Sequence, residues 1–415
     1  MSWCCFSERK KTQEEIGVWH GWRITAALQQ CTASVGTELF KWVKHFSNAP
    51  LLIGKSEIIQ VDGFSSAKNI RLFSYNELIS ATGNFHPSNR IGQGGFGTVY
   101  KGILRNGTPI AAKVLSAESR QGINEFLSEI DAISNVRHPN LVELLGCCVE
   151  ETNRILVYEF VENRSLDRAL LGIASKSAEL SWGVRCAICL GTAEGLAYLH
   201  EEIKPHIVHR DIKASNILLD RRFAPKIGDF GLAKLFPDNI THISTRVAGT
   251  TGYLAPEYAV RGQLTRKADV YSFGVLVLEI ISAKRNTKSS WSGKEKYLLE
   301  WTWQLYEEER LTELVDPNLK EYSEEEALRY IKVALFCTQA TASRRPSMPQ
   351  VVQMLSRPIK LNEEELTPPG LLQSSSGKGI GLKGTKSDSG TKDTSVATTS
   401  PYTSVPVTIT EMDPR

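Results

Sequence analysis

A chain of 415 residues exceeds the usual span of one domain, so one large two-lobed domain, or two domains with flanking tails, is the starting expectation. Its 41% hydrophobic and 23% charged residues are those of a globular protein, and a formal net charge of +3 with no basic stripe argues against a nucleic-acid partner. The longest mostly apolar stretch, Tyr271 to Ile281, falls short of the roughly 20 residues that a membrane-crossing helix requires, so no crossing is expected.

Met1 to Lys11 lacks the apolar core of a secretory signal, which predicts a reducing, cytoplasmic setting in which the eight cysteines are thiols. Cys4 and Cys5, followed by Arg9, Lys10 and Lys11, suit two acyl chains beside basic residues, hence contact with a membrane surface; ordinary N-terminal cysteines are the alternative. Ser2 excludes N-myristoylation. Residues 1–71 carry scattered aromatics (Trp19, Trp22, Phe40, Trp42) without periodicity, and no fold is assigned to them. The dense region 72–358 begins with short glycine-rich strand-like runs and continues into helix-like segments. Residues 359–415, rich in Ser, Thr and Gly especially from Thr367 onward, are expected to form a disordered tail.

Within the dense region, Ile91-Gly-Gln-Gly-Gly-Phe-Gly-Thr-Val-Tyr100 places Gly92, Gly94 and Gly97 between β-prone flanks, a turn whose amides can approach phosphate oxygens. Dinucleotide-binding folds use a similar run, but there it opens a helix; here it leads into a strand. Alternation through Thr108–Leu115 puts Ala111 and Lys113 on one face and Ile110, Ala112 and Val114 on the other. Ala111 can then lie against a base while Lys113 reaches its phosphates. Ser119 to Val136 shows helical spacing of Ile123, Phe126, Leu127, Ile130 and Ile133, with Glu129 at the margin of that face and Glu125 further toward solvent. Cys186 and Cys189 form a C-x-x-C with no second pair or histidines to complete a metal site, so they are read as core, like Cys147 and Cys148.

The most specific run is His209-Arg-Asp-Ile-Lys-Ala-Ser-Asn216 followed by Asp229-Phe-Gly231. Ile217–Leu219 and Lys226–Gly228 read as strands joined by a turn at Asp220–Pro225, a hairpin that brings Asn216 and Asp229 together at its open end. Two converging side-chain oxygens suit a hard cation such as Mg²⁺, with Mn²⁺ as the alternative. Asp211 can accept a hydroxyl proton, and Lys213 can neutralise charge on a transferred phosphoryl group.

These segments, in this order, resemble the protein-kinase signature set. The resemblance implies an α+β, bilobal protein kinase fold, with a small antiparallel β-rich N-lobe carrying one key helix and a larger, mainly α-helical C-lobe. It implies that ATP lies beneath Ile91, Gly92, Gly94, Gly97 and Val99, against Ala111 and Leu218, with the backbone of Glu159 and Val161 on adenine and Tyr158 as gatekeeper. It makes Lys113 (paired with Glu129), Asp211 and Lys213 catalytic, and Asn216 and Asp229 the metal ligands. Asp269 should brace the catalytic loop, Glu257 of Ala255-Pro-Glu257 should pair with Arg345, and Thr250 should bond Asp211 and Lys213. Lys213 and Gly249-Thr250 point to serine or threonine acceptors on protein substrates. Arg210 implies an activation segment organised by phosphorylation, with Ser244, Thr245, Thr250 and Thr251 as candidate sites. Ala112, where the usual motif has isoleucine, points away from the nucleotide. Phe73-Ser-Tyr-Asn-Glu-Leu78, Ala81-Thr-Gly-Asn-Phe85 and Gly252-Tyr-Leu-Ala-Pro-Glu-Tyr258 are similar to the plant receptor-like kinase group, and to its receptor-like cytoplasmic kinases of the cold-responsive type; the stretch 16–59 has no counterpart there. That resemblance implies upstream receptor kinases as partners and a place on the inner face of the plasma membrane. The intact catalytic positions disfavour a scaffold without activity, and Ala255-Pro-Glu257 and Thr250 disfavour a lipid or small-molecule kinase.

Overall fold

β1 (Arg71–Leu72) runs parallel to β5 (Leu144–Glu150); the other neighbours, β2 (Arg90–Gly94), β3 (Gly97–Ile103), β4 (Pro109–Leu115) and β6 (Asn153–Glu159), pair antiparallel in the sheet order β1-β5-β6-β4-β3-β2. The computed structural model describes residues 70–94, 97–115, 120–150, 152–171, 180–238, 240–287, 289–291 and 294–370, so the expectations for Ser2, Cys4, Cys5, residues 16–59 and the chain beyond 370 lie outside the described residues.

Strand alternation decides what each face of the sheet does. Ile110 and Ala112 join Phe73, Leu78, Leu104, Cys148, Ile155 and Val157 in a small core on the outer face, with Val114 packed on it. α1 (Tyr75–Thr82) closes that core; Ser74 caps it by accepting the Glu77 amide at 3.1 Å, and Leu78 is fully buried, which stabilises the lobe by roughly 1.5–3 kcal/mol. Ala111 packs instead toward the main core, the side on which α2 (Arg120–Ile133) lies.

Two features of α2 differ from the sequence expectation. Ile123, in its first turn, is 39% exposed, whereas Glu125, expected toward solvent, is buried. The run that follows Asp229 covers a second side of the helix: a Cβ on Gly231 would sit 3.5 Å from Glu125 Cγ. Amphipathic spacing marks one buried stripe and carries no information about a later segment laid on its flank.

The second lobe is built on α6 (Arg266–Ser282), reached through α3 (Leu166–Leu170), α4 (Trp182–Ala197), short strands β7 (His206–Val208), β8 (Ile217–Leu219), β9 (Pro225–Ile227), β10 (Lys234–Phe236) and β11 (Ile243–Ser244), α5 (Pro256–Arg261) and β12 (Gln263–Leu264). Every residue of α6 from Ala268 to Ser282 is buried, as expected of a helix apolar on all sides in the centre of a lobe. No helix among the described residues is long and apolar enough to cross a membrane. α7 (Leu298–Glu307), α8 (Glu324–Cys337) and α9 (Met348–Ser356) complete the lobe. Cys147, Cys148 and Cys189 are buried and Cys186 is half-buried; burial pushes the Cys147 thiol up to about 12. Among the described residues no group of three or more His, Cys, Asp or Glu side chains could hold a metal.

The packed chain continues past the expected boundary at 358. A 3-10 turn (Glu363–Glu365) is tied down by Lys332, whose Nζ lies 2.5 Å from Glu363, and Leu361 and Leu366 pack on the core. Composition hid this because two apolar anchors in a polar stretch suffice once a groove is already present to receive them.

Candidate active site

The glycine turn joins β2 to β3, where Gly92 pairs with Val99 and Gly94 with Gly97. Gly97 adopts φ 134°, and a Cβ there would stand 2.2 Å from the Val114 carbonyl oxygen, so this position excludes any side chain. A Cβ on Gly94 would meet nothing within 4 Å, which leaves its backbone open to a phosphate. Ile91 is exposed, Val99 half-buried, and Ala111 and Leu218 pack at the edge of the main core, one from each lobe. Across β4 and β6, Ala111 pairs with Tyr158. Tyr158 is buried with a hydroxyl that has no partner among the described residues. The side chain of Glu159 turns away, accepting from Lys226 Nζ at 2.9 Å and the Glu143 amide at 2.9 Å. Val161 makes no backbone hydrogen bond among the described residues, leaving its amide and carbonyl for a planar base.

Lys113 reaches from β4 between two carboxylates. Its Nζ donates to Glu129 Oε1 from α2 and, at 2.8 Å, to Asp229 Oδ1 from the other lobe. Burial works to lower the Lys113 ammonium, but Asp229 and Glu129 outweigh it and hold the pKa above the ordinary lysine value. Burial pushes the Glu129 carboxyl up, to about 7, against the pull of Lys113. For Asp229 burial acts upward too, yet Lys113 dominates and the pKa falls below the usual range.

The loop 209–216 hangs from α6. Asp269 accepts the amides of His209 and Arg210, each at 2.8 Å, and His200 Nε2 lies 2.9 Å from the same carboxylate. Burial alone would raise the Asp269 carboxyl; the His200 and His209 contacts hold it low. His209 packs edge-on to Phe230 and places Nε2 3.1 Å from the Gly228 carbonyl, tying the loop to the Asp229 run. Asp211 is then surrounded. Thr250 donates to its Oδ1 at 2.7 Å, while Asn216 Nδ2 and Lys213 Nζ reach its Oδ2 at 3.0 and 2.8 Å. Lys213 also donates to Thr250 at 2.9 Å.

The β8–β9 hairpin aligns Ile217 with Ile227, and the Gly228 amide donates to the Asn216 carbonyl at 2.9 Å, so Asn216 and Asp229 flank its open end as expected. β9 begins and ends one residue before the predicted 226–228, because Asp220 Oδ1 accepts the amides of Arg222 and Ala224 and completes the turn early. Asn216 Nδ2 is spent on Asp211 and Asp229 Oδ1 on Lys113; Asn216 Oδ1 and Asp229 Oδ2 accept no hydrogen bond among the described residues. Two such oxygens fit a hard divalent cation that shares its remaining coordination with phosphates.

Arg345 donates to both oxygens of Glu257, at 2.7 and 2.8 Å, holding the end of the activation segment in a bidentate fork. Arg210 is already organised: it donates to the Tyr258 hydroxyl at 3.0 and 2.5 Å, and to the carbonyls of Leu232 at 3.2 Å and Arg246 at 2.9 Å. A tyrosine hydroxyl and two backbone carbonyls thus hold the guanidinium in this structure. Neither Tyr258 nor His200 was assigned a role from the sequence, since both act through contacts with residues distant in the chain. Of the candidate phosphosites, Ser244 and Thr251 are exposed, Thr245 is half-buried, and Thr250 is buried against Asp211, where a phosphate would displace the bond it makes.

Residues 85–355 match the family described as the protein kinase domain. The chain is 54% identical over 322 residues to cold-responsive protein kinase 1 of Arabidopsis thaliana, covering 77% of this chain and 83% of that protein. It is 56% identical over 292 residues to a probable LRR receptor-like serine/threonine-protein kinase of the same plant, and 55% identical over 298 residues to a probable leucine-rich repeat receptor-like serine/threonine-protein kinase; these matches cover 70% and 72% of this chain. Of those two longer proteins the chain spans only 28% and 29%. With the family match covering more than half of its length, this chain belongs to the protein kinase family.

Proposed function

We propose that this chain, an ATP-dependent protein serine/threonine kinase, works with Asp211 as its catalytic base, Lys113 on the nucleotide phosphates, and Asn216 and Asp229 on Mg²⁺. The observation that carries the reading is the convergence of residues far apart in sequence: Lys113 bridges Glu129 and Asp229, and Thr250 bridges Asp211 and Lys213. Ile91, Gly92, Gly94, Gly97, Val99, Ala111 and Leu218 would enclose the nucleotide, with the backbone of Glu159 and Val161 on adenine.

In this mechanism a serine or threonine hydroxyl of the acceptor approaches Asp211, which takes its proton as the oxygen bonds to the γ-phosphorus and the bond to the β-phosphate oxygen breaks. Thr250, Asn216 and Lys213 hold the Asp211 carboxylate in one rotamer, so little reorganisation accompanies the transfer. Lys213 lies beside the transferred group and offsets its charge. Lys113, kept cationic by two carboxylates, orients the phosphates. Asn216 and Asp229 would hold a divalent cation, which would supply further neutralisation of phosphate charge. Likeness to cold-responsive and receptor-like kinases supports a place downstream of receptor kinases, and Cys4 and Cys5 support attachment to the inner face of the plasma membrane.

The test is transfer of labelled γ-phosphate, with Mg²⁺, to a generic basic protein and to the chain itself. Asp211→Asn should lower kcat by about 10² to 10⁴, with label on serine or threonine in the wild type. An Asp211→Asn enzyme as fast as wild type would remove Asp211 from the chemistry.

A further inference from the structure

Residues 366–370 lie beyond the family match, yet they end against the activation segment. Thr367 Oγ1 donates to Gln339 Oε1 at 2.9 Å, Pro369 forms an antiparallel bridge with Gln339, and the Gly370 amide donates to the Thr338 carbonyl at 3.2 Å. The Gly370 carbonyl accepts the buried Tyr271 hydroxyl at 2.6 Å. A Cβ on Gly370 would stand 2.5 Å from Pro256 Cγ and 3.1 Å from Ala340 Cα, so the residue fills a slot between the first turn of α5 and the loop after α8.

That slot is continuous with the fork at the end of the activation segment. Pro256 precedes Glu257, the Arg345 guanidinium that holds Glu257 lies over the Tyr271 ring at 5.0 Å, and Arg345 Nε donates to the Gln339 carbonyl at 2.8 Å. One loop, 338–340, therefore receives Arg345 on one side and the strap on the other. Pro368 and Pro369 stiffen the strap, since each fixes φ and neither has an amide hydrogen to satisfy.

We propose that the strap is a positioning element for the acceptor platform: Gly370, wedged against Pro256 and bonded to Tyr271, sets where the segment from Gly249 to Glu257 presents a protein substrate. The proposal rests on the kinase reading of that segment. It predicts that disturbing Gly370 weakens use of the protein acceptor and leaves use of ATP alone, because the glycine turn and Lys113 belong to the other lobe.

The experiment uses the full chain with Gly370→Ala, Pro256→Ala, the double variant, and Tyr271→Phe. Gly370→Ala should lower kcat/KM for the protein acceptor by about 10- to 100-fold, the scale of an ångström misplacement, with KM for ATP unchanged. Pro256→Ala removes the ring atoms the new methyl would meet, so the double variant should recover most of the loss; Tyr271→Phe should show a smaller loss in the same parameter. Hydrogen exchange at 257–261 reads the same coupling without any catalysis: it should accelerate in Gly370→Ala and return in the double variant, whether or not phosphate is transferred. Unchanged acceptor kinetics and unchanged exchange in Gly370→Ala would overturn the proposal. So would equal losses for ATP and acceptor without rescue, the pattern of a strap that only stabilises the fold.

Discussion

Thr250 ties the Asp211 carboxylate to Lys213 through a single hydroxyl. Buried, it donates to Asp211 and accepts from Lys213, so Thr250→Val keeps the shape, deletes both bonds and leaves two charged partners less satisfied. The expected outcome is a fall in kcat of about tenfold or more with little change in the KM for ATP, restored by Thr250→Ser, in a steady-state assay with a protein acceptor; equal activity of the valine and serine variants would show that the hydroxyl is dispensable. Its partners Asp211 and Lys213, with Asn216, were legible in the sequence because they sit in a short run of unusual chemistry, and Asp229 to Gly231 is a second such run; Thr250 itself entered only through the resemblance to kinases. Tyr258, His200 and the burial of Glu125 were not legible. Each depends on a surface that exists only after distant segments meet, as when Tyr258 inserts its hydroxyl beneath Arg210.

α6 shows what an element does for the site. Its apolar sides, readable from the sequence, make it the axis of the lobe, and from that axis Asp269 holds the catalytic loop while Glu279 holds the start of the 286 loop. Glu279 is fully buried, which pushes its carboxyl from an ordinary 4.5 up to about 7, although the Tyr253 hydroxyl at 2.6 Å and the Asn286 amide at 2.7 Å pull it down. Between these two values the folded chain retains a proton that the unfolded chain releases. The contribution of Glu279 to stability is therefore full below pH 4.5 and is lost as pH rises through about 7, a span worth about 3 kcal/mol. Denaturant unfolding at pH 5 and pH 7.5 should show the wild type losing stability across this interval and Glu279→Gln losing less. Glu129, raised for the same reason, adds a slope of the same sign that the variant keeps. A Glu279→Gln slope equal to that of the wild type would mean that the carboxyl is ionised throughout.

At the scale of the whole molecule, the bilobal plan follows from the change in pattern between the glycine-rich strands and the long helices, and the structure follows that plan from Arg71 to Ser356. The strap escaped notice because its hold depends on Leu361, Leu366 and one glycine in a stretch otherwise rich in polar residues. The proposed attachment to a membrane through Cys4 and Cys5 is tested on the intact chain. A Cys4→Ser, Cys5→Ser variant should move from the membrane fraction to the supernatant on cell fractionation, since one acyl chain holds a protein only marginally and two hold it stably. Unchanged recovery with membranes would rule out acylation at these positions.

The contact between Lys113 and Asp229 joins the two lobes across the cleft, and Lys113 is at the same time bound to Glu129 within its own lobe. If the lobes part to release spent nucleotide, the bond to Asp229 at 2.8 Å would open while the bond to Glu129, made within one lobe, would persist. The pair would then act as a clasp with one fixed and one free side, and the free side would join the escape of ADP to the residue that would carry the cation. Turnover would then be paced by how often the clasp opens as well as by the speed of transfer.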